Sequence, residues 1–101
     1  MKSFGDMVKQ AQRMQKQMNE LQGKLAEDRH EATAGGGLVK VVVDGKQMLQ
    51  SIEISPKALD EKDVTLLEDL IMTAMAEAQR TSQERMSEAY SKVTGGFNLP
   101  F

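Results

Sequence analysis

Apolar residues recur at intervals of three and four through the first quarter of the chain: Phe4, Met7, Ala11, Met14, Met18, Leu21 and Leu25. Held over three heptads, that spacing keeps one side chain stripe on a single face and predicts an amphipathic helix of about 20 residues within positions 1–26. The period then changes. Residues 27–34 fit either a helix end or a weak strand, and Gly35-Gly36-Gly37 interrupts whichever forms. Leu38 to Val43 is β-branched and reads as a strand, Asp44-Gly45 is expected to supply the positive φ angles of a tight hairpin, and Gln47 to Ser55 returns. In that return Met48, Ile52 and Ile54 should share one face, with Leu49, Ser51 and Glu53 on the other. Pro56 ends the strand because it has no N–H for a ladder. Positions 27–55 are thus antiparallel strands. A second helix is expected over 60–94, opened by the carboxylates of Asp60, Glu61 and Asp63 and stopped by Gly95-Gly96. Residues 95–101 form an apolar tail whose alternating Phe97, Leu99 and Phe101 should dock partly on the rest. The fold class is α+β in one domain, 1–101: helix, two or three antiparallel strands, long helix, tail.

This arrangement leaves apolar surface over. The second helix, at ~1.5 Å per residue, is on the order of 45 Å long, and a small sheet covers about half of that. Its stripe nevertheless continues through Leu67, Ile71, Ala74 and Ala78 to Met86, Ala89, Tyr90 and Val93. A second copy of the chain is the simplest cover, so a twofold homodimer is expected. Small Ala74 and Ala78 would let backbones approach, and with Met7, Met14, Met18 and Leu21 they would form a dimer or core seam.

Charge adds a polarity that the net value of −2 conceals. Residues 1–25 carry +3, residues 26–54 carry −2, residues 55–79 carry −4 and residues 80–101 carry +1. The ends are basic and the middle acidic, which matters more to a polyanion than the average does. Cysteine is absent, which removes disulfides and thiolate metal sites. The longest apolar run, 70–76, is far short of the ~20 residues that span a bilayer, and the opening residues do not resemble a signal peptide. A chain of this kind should be soluble and stay where it is made.

A search for chemistry is mostly negative. Gly35-Gly36-Gly37 lacks the following Gly-Lys-Ser/Thr of a phosphate loop, and Gly45-Lys46 is followed by Gln47. His30 is the only histidine and reads as a solvated strand residue. The carboxylates at 60–63, 68 and 69 suit a helix N-terminus without an acid–base pair. No nucleophile, base and orienting group assemble, so the expectation is a non-enzyme with no metal, cofactor or small-molecule substrate and no membrane partner.

The first helix remains. Lys9, Arg13 and Lys16 fall at i, i+4 and i+7 opposite the methionines, flanked by Gln12, Gln15 and Gln17. Long cations and amides in this array reach phosphate oxygens and groove edges. The same pattern also describes a solvated coiled-coil face, and the Met and Phe surfaces also suit a protein-interaction scaffold.

Four runs in order, MVKQAQRMQKQM, GLVKVVVDGKQMLQSIEISPKAL, LLEDLIMTAMAEAQRTSQERM and GGFNLPF, span nearly the whole chain and resemble the YbaB/EbfC family of bacterial nucleoid-associated DNA-binding proteins. The resemblance implies an α-β-β-β-α subunit and a tweezer-like homodimer. It further implies binding to double-stranded DNA with little sequence preference, which alters DNA conformation and contributes to organisation of the nucleoid in the cytoplasm. Residues of both long helices would touch DNA: Lys9, Gln12, Arg13 and Lys16 on the first, and Arg80, Arg85 and Lys92 on the second. The departure from a uniformly basic surface is Glu84 and Glu88, which sit among that second group.

Overall fold

A computed structural model describes residues 3–60 and 62–95. The elements are α1 (Phe4–Glu27), β1 (His30–Ala34), β2 (Val39–Val43), β3 (Leu49–Ile54), a 3-10 turn (Pro56–Leu59) and α2 (Val64–Thr94). The strands form one antiparallel sheet in the order β1-β2-β3, so the α+β reading holds and the weak segment after α1 is a strand. Asp63 caps α2, its carboxylate accepting the Leu66 N–H at 3.0 Å, and Gly95 closes the helix in the left-handed conformation. The apolar tail from Phe97 to Phe101 lies outside the described residues.

Val39, Val41 and Val43 are fully buried on one face of β2, as are Ala74 and Ala78 on α2, with Leu67, Leu70, Ile71 and Met75 packed around them. The two alanines therefore let α2 lie close over β1 and β2 within the subunit. Of the core and dimer placements that their small size leaves open, both occupy the core of the subunit.

β3 departs from expectation. Val39, Val41 and Val43 stand opposite Ile54, Ile52 and Leu49, with a bulge between Val42 and Val43. The extra residue shifts the alternation, so Leu49 joins the face of Ile52 and Ile54 instead of opposing it. Because α2 covers β1 and β2, the whole of β3 stays exposed, and Met48 lies in the preceding turn. On the opposite sheet face Lys40 bridges Glu31 at 3.2 Å and Glu53 at 3.6 Å; the hydrogen bond to Glu31 is the main cause raising the lysine pKa above its ordinary value. His30 is half-buried rather than solvated, and its Nε2 has no hydrogen-bond partner among the described residues.

The turn after β2 joins all the elements. Asp44, almost fully buried, accepts the backbone N–H groups of Lys46 at 2.7 Å and Met48 at 3.0 Å and the Gln50 amide at 3.2 Å. Its carbonyl accepts the Ser82 hydroxyl of α2 at 2.8 Å. The positive φ in this turn belongs to Gln47, at 69°, and not to Gly45. Gly45 is needed for a different reason: its N–H donates to the Leu25 carbonyl at 2.7 Å, and a Cβ there would stand 2.6 Å from that oxygen. Gly45→Ala is accordingly expected to cost about 1–3 kcal/mol, read as a lower midpoint in urea unfolding, because the end of α1 must move away from the turn. A midpoint equal to that of the parent would show that the α1 contact yields freely.

Beyond this joint the molecule is long, 69 × 22 × 16 Å. Its radius of gyration of 19.4 Å compares with about 13 Å for a compact chain of this length. Positions 4–13 of α1 are exposed all round.

Candidate nucleic-acid interface

α1 starts where local chemistry starts it. The Ser3 hydroxyl accepts the Asp6 N–H at 3.2 Å while the Asp6 carboxylate accepts the Ser3 N–H at 3.4 Å, a reciprocal cap with the acid at the positive helix end. Further on, the Gln15 amide donates to Asn19 at 3.2 Å. The seam expected along the helix is graded: Leu25 is buried at the joint, Leu21, Met18 and Met14 are half-buried, and Met7 and Phe4 are 58% and 81% exposed. Among the described residues, α1 gains cover within the subunit from Met14 onward. Leu25 meets the joint near Ser82, whereas Gln17, Glu20, Leu21 and Lys24 share a groove with Lys92 and Val93, so the two helices run antiparallel.

Lys9, Gln12, Arg13 and Lys16 lie together on the exposed side, and among the described residues no ion pair engages the three cations. The second predicted group is dispersed. Arg80 is held by Glu77 and, at 2.8 Å, by Glu84, while Arg85 stands 4.0 Å from Glu88. Hydrogen bonding to Arg80, reinforced by its charge, lowers the pKa of Glu77, and Glu77 in the same way raises that of Arg80. The pairing contributes to stability above the ordinary glutamate range and is lost only as pH falls through the lowered Glu77 value, so at neutral pH both partners are charged and engaged. An exposed pair of this kind is worth little to the fold. It does mean that a phosphate would compete with two carboxylates for Arg80. Glu77 was missed at sequence level, although its i, i+3 spacing to Arg80 carries the signal. Lys92 lines the interhelical groove, which neither arginine lines, and Lys24, in the same groove, was passed over.

No described helix is long and apolar enough to cross a membrane. Among solved structures, the crystal structure of the uncharacterized protein HP0035 from Helicobacter pylori superposes with a TM-score of 0.86 over 94% of this chain and 100% of its own, at 21% identity, which shows a shared fold. A nucleoid-associated protein of Alkaliphilus metalliredigens is 48% identical over 98 residues, spanning 97% of this chain and 86% of that one. The nucleoid-associated protein Teth39_2199 of Thermoanaerobacter pseudethanolicus is 44% identical over 98 residues, spanning 97% and 88%. The profile of the YbaB/EbfC DNA-binding family matches residues 1–97, and with relatives this similar over nearly the full length, the chain belongs to the YbaB/EbfC DNA-binding family.

Proposed function

We propose that this protein is a nucleoid-associated protein that binds duplex DNA as a homodimer with low sequence specificity, altering DNA conformation and contributing to nucleoid organisation and gene regulation. The observation that carries the reading is the exposed face of Lys9, Gln12, Arg13 and Lys16 on a helix arm clear of the rest of the subunit. Cations on such a face neutralise phosphates and release counterions, which favours binding to any sequence. The protein acts by binding rather than catalysis, in the nucleoid of a bacterial cytoplasm, with DNA and its own copy as partners and no small-molecule substrate.

Titration of a fluorescent duplex tests this. If about five phosphates are neutralised, the log–log salt slope is roughly −4.5, and affinity falls on the order of 500-fold between 50 and 200 mM salt. Salt-independent or absent binding would favour a protein-interaction scaffold built on exposed Phe4, Met7 and Val8.

The homodimer is supported by surface area. The chain exposes 7560 Å², whereas a compact monomer of its mass exposes about 5,700 Å². The excess per chain is of the size that stable subunit interfaces bury. It includes Phe4 and Met7 on α1, Leu49, Ile52 and Ile54 on β3, and Met72 on α2, all exposed. Sedimentation at low micromolar concentration is expected to give twice the chain mass; a folded monomer there would sink the proposal.

A further inference from the structure

Resting on the DNA-binding reading above, we propose that the groove where α1 and α2 run side by side seats a backbone phosphate of the bound duplex between Lys24 and Lys92, and that Glu20 limits its grip. The walls of the groove come from different helices: Gln17, Glu20, Leu21 and Lys24 from α1, Lys92 and Val93 from α2. Its volume of about 280 Å³ corresponds to roughly nine waters, enough for a phosphodiester with bridging water. Both lysines are exposed, and among the described residues neither is in an ion pair, although Glu20 lines the same groove. Two like charges thus face a shared space without a bonded counter-charge, which an anion placed between them relieves.

The position extends the arm. Lys9 to Lys16 covers about 10 Å of helix, the rise of roughly three base pairs at 3.4 Å each. Carrying the track to Lys24 lengthens it to about 22 Å, or roughly six base pairs, with Lys92 beside its inner end. Arg80 on α2 contrasts with this pair, since it is already occupied by Glu77 and Glu84, and Arg85 stands 4.0 Å from Glu88. Glu20 places a negative charge between Lys16 and Lys24, where it opposes a phosphate and tempers affinity.

Single variants decide the matter, each titrated with two short duplexes of unrelated sequence at low and moderate salt, with thermal melting as the check on folding. Lys24→Ala and Lys92→Ala are each expected to weaken binding by roughly three- to tenfold on both duplexes and to flatten the salt slope by about 1. Lys24→Arg keeps the parent slope, and Glu20→Gln tightens binding several-fold. Should Lys24→Ala and Lys92→Ala bind as the parent does while a Lys9/Arg13/Lys16 triple-alanine variant is weakened, the groove is not part of the interface and only this inference falls. Absence of salt-dependent binding by the parent protein overturns the DNA reading and this inference with it. If either alanine variant melts early, Glu20→Gln decides: unchanged affinity overturns the proposal.

Discussion

Asp44→Ala is expected to destabilise the protein by about 3–4 kcal/mol, the largest effect of any polar substitution in the described structure. The carboxylate is 6% exposed and accepts three N–H groups, two of them backbone groups of the turn itself. Hydrogen bonds to a charged acceptor contribute about 1.5–3 kcal/mol each, and such terms do not add in full, since the donors lie on exposed residues that water can reach. Asn at the same position keeps an oxygen for the Lys46 and Met48 amides and should cost about half as much. Urea unfolding at one fixed protein concentration reads the difference, since dimer stability depends on concentration. A loss under about 1 kcal/mol for the alanine variant would show that the turn holds its shape through the backbone bonds alone.

The second large effect concerns binding. Replacing Lys9, Arg13 and Lys16 together by Ala is expected to weaken duplex binding at least tenfold in low salt and to bring a slope near −4.5 to −2 or shallower. The loss should be alike on unrelated sequences, because phosphate contacts position a protein without reading bases. Melting should barely move, as all three positions are exposed and away from the apolar face. A triple variant with the parent's affinity and slope would reduce the basic face to a solvated surface and bring the scaffold reading forward.

The order of elements was legible because it rests on local signals: a change of period from helix to strand, Pro56, and glycines between β1 and β2 and after α2. What escaped depends on contacts between distant residues. The heptad of α1 identified the apolar face, but only the positions of α2 and of the turn at Gly45 determine that Leu25 is buried while Met7 is exposed. Gly45 was legible as a turn residue, yet its necessity comes from the Leu25 carbonyl in another element. The bulge that turned Leu49 over has no compositional mark, since a β3 of ordinary residues hides one extra position. Ala74 and Ala78 were legible as close-approach residues of a dimer or core seam, but not as residues of the subunit core in particular, because smallness indicates proximity without naming what is near. On the candidate site, the exposure of Lys9, Gln12, Arg13 and Lys16 followed from the helix period, whereas Lys24 and Lys92 meet only through the antiparallel pairing of the helices.

The clamping of α1 at one end has a mechanical consequence. With Leu25 fixed against Gly45, Met14, Met18 and Leu21 half-buried and positions 4–13 bare, the outer part of the helix is a cantilever. From Met14 to Phe4 it measures about 15 Å at 1.5 Å per residue, so a 10° bend at its root carries the tip about 3 Å, half the width of a B-DNA minor groove. The bond from Gly45 to the Leu25 carbonyl anchors the packed end behind that lever. On the DNA-binding reading proposed above, the firmness of that packed end would bear on how closely the cations are held to a duplex whose groove width varies with sequence.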